Sequence, residues 1–187
     1  MISITRIFLL VLIVQLAGCK APQGTTVAEK RADVMNMHDD VLATFYEAKP
    51  FLEERVANAP GYGVFSNFGL KIFVLGSGNG FGVVHENATD QDTFMRMFEI
   101  NVGLGFGGKN FRALFIFNTE EALRNFTTKG WDFGGDAEVG VMVDDDGGEL
   151  GAAGSLGPIE IYQYSKTGIM LSATVGGTKY RLDDELN

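Results

Sequence analysis

Several residue types that commonly announce a function are scarce in this chain. One Cys among 187 residues rules out an internal disulfide and any multi-cysteine metal centre. Two histidines, His38 and His85, stand outside the HExxH spacing and beside no Ser nucleophile, and GxSxG does not occur. Basic residues are outnumbered, 15 Lys and Arg against 24 Asp and Glu, for a net charge of -9. The basic stripe of a nucleic-acid binder is therefore missing. With 4 Pro and no collagen period, the 25 glycines must serve a fold. A hydrophobic fraction of 45% excludes a disordered chain and suits one domain with a real core.

The first residues read as a processed segment. Arg6 supplies a short positive region, and Ile7 to Val14 form an apolar run of eight residues. At about 1.5 Å per residue that run cannot cross a roughly 30 Å hydrocarbon core, so it suits a signal peptide. Leu16-Ala17-Gly18-Cys19 follows and resembles the lipobox of bacterial lipoproteins. That resemblance implies a signal peptide over residues 1–18, lipidation of Cys19, and membrane anchoring through its acyl chains. An ordinary secretory signal with an incidental Cys is the alternative. Lys20 stands where Asp would imply inner-membrane retention, so the expected address is the cell envelope at the outer membrane, facing the periplasm. Cleavage would take the net charge from -9 to -10, since Arg6 is the single charge removed. Residues 19–26 then form a short polar tether.

From residue 27 to 49 the pattern is helical, with Val27, Val34, Met37, Val41, Leu42, Phe45 and Ala48 near three- and four-residue spacing. Pro50 interrupts, and a second short helix is expected over 51–59. Such a stripe faces a core; a membrane-surface helix is disfavoured by Glu29, Asp33, Asp39 and Asp40, which would repel anionic lipid. After Gly61 short strands are expected at 62–65, 70–75, 80–85, 94–106, 111–117, 137–143, 159–164, 169–175 and 179–182. One helix interrupts them, capped by Asn118 or Thr119 and lined by Ala122, Leu123 and Phe126. The expected fold is α+β: N-terminal helices packed on a coiled, mostly antiparallel, barrel-like, glycine-rich sheet over 27–187.

Glycines recur at period two in 76–82 and 103–108. In a strand this leaves one face without side chains, open to a helix, another backbone or an alkyl chain. Gly76, Gly78, Gly80, Gly103 and Gly105 are therefore candidates for an apolar groove, with close packing by protein as the other reading. Residues 103–108 also satisfy GxGxxG, and Lys109 nearly completes a phosphate loop. Asn110 lacks the hydroxyl for Mg²⁺, however, and a strand follows where a helix N-terminus is needed. Asp144 to Glu149 depart from the EF-hand spacing and suit a solvated turn, with weak Ca²⁺ binding as the alternative. No catalytic residues, metal ligands or cofactor emerge, and a non-enzymatic role is expected.

An ordered set of blocks carries a family resemblance. Ala59-Pro60-Gly61-Tyr62-Gly63-Val64-Phe65 is followed by Lys71 and the glycine run to Val84. Val102 to Gly108 comes next, then an apolar strand, then Asn118 to Leu123. Trp131 to Ala137, Ile161 to Gly168 with its Tyr-Ser-x-x-Gly, and Gly176-Gly177 complete the set. These blocks resemble the SYLF domain, a lipid-binding module. The resemblance implies a domain without enzymatic activity that binds membrane lipid, in eukaryotic members phosphoinositides and often in connection with actin. Ser66 and Lys109 depart from the Pro and Gln usual there. By position beside the glycine strands, Lys71, Lys109 and Arg112 are the headgroup candidates. The expectation is an envelope lipoprotein whose SYLF-like domain binds lipid or another apolar ligand. The alternative is a structural adaptor for a protein partner or the cell wall.

Overall fold

The computed structural model describes residues 21–72, 75–102, 107–133, 140–142, 150–156, 158–165 and 176–187. The first helix, α1 (Val27–Ala48), starts where Thr26 accepts a hydrogen bond from Glu29 N–H while the Glu29 carboxylate accepts from Thr26 N–H. This capping box satisfies two of the N–H groups left free by helix geometry. Val34, Met37, His38, Val41 and Phe45 form its buried stripe. Pro50 opens α2 (Phe51–Asn58), which buries Leu52 and Val56. Among the described residues no helix is long and apolar enough to cross a membrane.

Among the described residues nine strands form one sheet: β1 (Gly61–Ile72), β2 (Leu75–Glu86), β3 (Gln91–Val102), β4 (Gly107–Phe117), β5 (Trp131–Phe133), β6 (Gly140–Met142), β7 (Leu150–Leu156), β8 (Ile159–Ser165) and β9 (Gly176–Leu182). The spatial order is β5-β9-β3-β2-β1-β4-β8-β7-β6, and every pairing is antiparallel. Between β4 and β5 lies α3 (Glu120–Lys129), capped by Thr119, whose side chain accepts from Ala122 N–H.

Alternation along the strands sorts the core into two layers. One face carries Tyr62, Val64, Phe81, Val83, Phe94, Leu114 and Ile116 against α1 and α2. The other carries Phe65, Val84, Met95, Phe115, Phe117 and Tyr180 against Ala122, Leu123 and Phe126 of α3. Every described core residue lies between Val34 and Leu186.

The α+β class and the N-terminal helices on an antiparallel sheet are as expected. The barrel-like closure is corrected: the sheet ends in β5 and β6, which do not pair among the described residues. Many strands in series with few helices suggested closure, but the sheet is instead covered by helices on both faces, which removes the need to wrap on itself. The expected strand at 62–65 and the start of that at 70–75 fall in one strand, β1, because Ser66 and Asn67, ordinary turn formers, are buried within it, while Leu75 opens β2. The expected strand at 169–175 lies outside the described residues, as do Cys19, Gly103 and Gly105.

Candidate functional site

Two cross-strand rows extend the helix-pair face beyond the layer of Val83 and Phe94. Phe81, Arg96 and Arg181 form the first, on β2, β3 and β9. Asn79, Phe98 and Lys179 form the second. Burial fades along this direction: Val83 is 0% exposed, Phe81 7% and Phe98 42%. The sheet outruns its helical cover here and leaves an aromatic ledge.

A groove of about 620 Å³ lies over that ledge. One wall is the start of α1 with Lys30 and the preceding Ala21 and Pro22; the other is the C-terminal turn with Asp183, Glu185 and Leu186. The first wall depends on Gly24, whose φ of +141° turns the chain back along α1, where Gln23 N–H donates to Asp33 Oδ2 at 2.8 Å. The second wall is tied down by Asn187. Its side-chain amide donates to Phe94 O and Asp183 O, both at 2.8 Å, and accepts from Phe94 N–H at 2.9 Å.

The groove's electrostatics oppose those of the whole chain. Lys30, Arg96, Lys179 and Arg181 line it against two carboxylates, Asp183 and Glu185. Arg96 is committed to Asp183, with Nε to Oδ2 and Nη2 to Oδ1 both at 2.8 Å, and reaches Glu185 at 3.5 Å. Lys30 pairs with Glu185. Burial would raise the Asp183 carboxyl, but Arg96 and the N–H groups of Glu185 and Leu186 hold it below the ordinary value. The Asp183 contact raises the Arg96 guanidinium above its own. Arg181 is exposed and makes no ion pair among the described residues.

Strand register separates the residues singled out from sequence. Lys109 shares a row with Gly69, Gly78 and Glu99, while Lys71 shares the next with Gly76, Gly107 and Asn101. Those rows belong to the α3 side of the sheet, and the side chains of Lys71 and Lys109 lie outside the described part. Arg112 is half-buried in the row of Ser66, Phe81, Arg96 and Arg181, on the opposite face. Arg112 is thus not grouped with the two lysines, nor does it line the groove. Gly80 has no open space on its bare side: a Cβ there would lie 2.5 Å from Ser66 O and 3.2 Å from Asn67 Cβ. Protein fills that position.

Three polar arrangements escaped the sequence. The groove cations come from three separate elements and meet only through register, although Lys179 and Arg181, two apart on β9, were a visible signal. On the α3 side, buried Asn67 donates its amide to the buried Glu99 carboxylate while its Oδ1 has no partner. Burial first, and the Glu99 charge second, push the neighbouring Tyr180 hydroxyl upward. Both histidines converge on Tyr62: His38 Nε2 lies 3.1 Å from its hydroxyl, and the His85 ring centroid 5.3 Å from its own.

Residues 98–187 match a family model, Ysc84, described as Las17-binding protein actin regulator. Over this stretch the chain matches the SYLF family, the one its sequence blocks resemble. Beta cell expansion factor A of Aeromonas veronii is similar too, 30% identical over 161 residues. The match covers 86% of this chain and 60% of that protein, so the chain spans well under the relative's full length. Within the SYLF match fall Phe98, Lys179, Arg181 and the C-terminal wall of the groove; Lys30, Phe81 and Arg96 precede it.

Proposed function

We propose that this chain is a non-enzymatic, membrane-anchored envelope lipoprotein whose SYLF domain holds a lipid or another apolar ligand. The observation that carries the reading is the groove, with an aromatic floor, a cationic rim and a volume of about 620 Å³. That size falls among pockets that enclose small ligands, roughly 300–1,000 Å³. Acylation of Cys19 would anchor the chain at the outer membrane, facing the periplasm. Ala21, two residues on, lines the groove. Two extended residues span about 7 Å, so the anchor would hold the groove beside the bilayer that supplies its ligand.

The test is flotation of the chain from Lys20 onward with vesicles of bacterial phospholipids. Association is expected without the acyl anchor, and failure with every lipid mixture would overturn the reading. A protein-partner role draws support from the family description, which names a Las17-binding protein. Crosslinking in intact cells separates the two, since a reproducible protein adduct without lipid binding favours the adaptor.

A further inference from the structure

We infer that the groove's ligand is a single-chain, singly charged amphiphile, a long-chain carboxylate of the fatty-acid kind, held at its head by Arg181. The inference rests on the lipid reading and narrows it from charge and size. In a chain of net charge -9, the groove gathers four cations around two carboxylates. Lys30 and Arg96 are already neutralised by Glu185 and Asp183. Lys179 has interactions of its own and contributes positive potential rather than a required contact. Arg181 remains, an exposed guanidinium in the same row as Arg96 and diagonal to Phe98, which pairs with Lys179.

One planar guanidinium matches one carboxylate, whose two oxygens accept its parallel N–H donors. A multiply phosphorylated headgroup would instead bring several negative charges against Asp183 and Glu185 on the same wall. Size points the same way. At roughly 30 Å³ for each water-sized group, about 620 Å³ holds on the order of 20 heavy atoms. That suits one long-chain carboxylate such as palmitate, whereas the second chain of a phospholipid would lie outside the groove. Phe98, 42% exposed, and the adjacent Phe81 give the alkyl chain an apolar floor.

The experiment is native mass spectrometry and calorimetry of the chain from Lys20 onward with palmitate, hexadecanol and lysophosphatidylglycerol. A one-to-one palmitate complex is expected. Arg181→Gln should weaken it by about tenfold or more, equivalent to about 1.4 kcal/mol, and Lys129→Gln on α3 should not. Both positions are exposed, and circular dichroism checks that the variants fold. Phe98→Ser is an independent arm that should weaken palmitate while leaving the charge unchanged. Equal affinity for hexadecanol, preference for lysophosphatidylglycerol, or indifference to both Arg181→Gln and Phe98→Ser would overturn the inference. Vesicle flotation run beside it keeps the broader reading separate: association with vesicles but not palmitate sinks only the carboxylate, and association with neither sinks both.

Discussion

Arg96 grips Asp183 with two nitrogens, each 2.8 Å from its own carboxylate oxygen, and Asp183 is 3% exposed. The pair joins a central strand to the C-terminal turn and so fixes one wall of the groove. Asn at this position keeps one neutral acceptor for Arg96 and sets an NH₂ donor against the other guanidinium nitrogen. Asp183→Asn is expected to lose about 1.5–3 kcal/mol near neutral pH, the range for a hydrogen bond to a charged group. The native carboxyl is held below its ordinary value, so the unfolded chain binds the proton more readily. Stability from this pair is therefore present above about pH 4 and lost as pH falls through the native value. Urea midpoints should differ between wild type and Asp183→Asn at neutral pH and converge in acid.

Tyr62 is expected to matter through His38. The Nδ1 of His38 faces the Asp39 carboxylate at 2.8 Å, so in the neutral ring Nε2 accepts from the Tyr62 hydroxyl at 3.1 Å. Tyr62→Phe strands a buried acceptor and should cost about 1–3 kcal/mol in chemical denaturation. Burial first, then the neighbouring Tyr46, Asp92, Asp39 and Asp90, pushes the Tyr62 hydroxyl up to about 12. A raised native value means the contribution is intact below about pH 10 and declines as pH rises toward 12. Tyrosinate absorbance should show this late step in wild type and lose it in Tyr62→Phe.

Gly82 should tolerate no side chain. A Cβ there would lie 2.2 Å from Val64 O and 2.4 Å from Phe65 Cδ1. Phe65 is fully buried against Phe115, Phe126 and Tyr180, with ring centroids 5.2, 5.9 and 4.8 Å away. Neither the backbone oxygen nor the ring can retreat. Gly82→Ala is expected to cost about 3 kcal/mol or more, at the upper end for overpacking. Ser77→Ala, at an exposed position of the same strand, should stay within about 0.5 kcal/mol. Thermal melts of the two variants make the comparison.

How much of this was legible in the sequence depends on the range of the contact. The helical stripe of Val34, Met37, Val41 and Phe45 was plain, because one period of 3.6 residues both forms and buries it. The glycine-strand alternation was plain too, and Gly80 shows protein filling one of its bare positions. Ser66 and Asn67 misled, since turn-forming residues inside a buried strand are held by neighbours on both sides that no local window contains. The groove was illegible for the same reason. Arg96 and Arg181 stand opposite each other only after β3 and β9 pair in register, and a net charge of -9 concealed a local cationic patch. Family blocks crossed this gap because they report whole strands in order.

The first wall of the groove depends on the cap of α1. The Glu29 carboxylate accepts from Thr25 Oγ1 at 2.7 Å, Thr25 N at 2.8 Å and Thr26 N at 3.0 Å. These bonds, that from the Thr25 hydroxyl foremost, bring its carboxyl down to about 2. Lys30, the next residue, lines the groove and pairs with Glu185 on the opposite wall. Thr26→Ala removes the side-chain acceptor for Glu29 N–H and should cost about 1 kcal/mol. A cap failure is local before it is global, because the first turn can fray while Val34 to Phe45 stay packed. Hydrogen exchange should therefore quicken at the amides of Glu29 and Lys30 in Thr26→Ala while Val41 and Phe45 remain protected. The lowered Glu29 value also gives this wall an acid limit. Its contribution is present above about pH 4 and vanishes as pH falls toward 2, so exchange at Lys30 in wild type should approach the variant's only in strong acid, once the intrinsic pH dependence is removed.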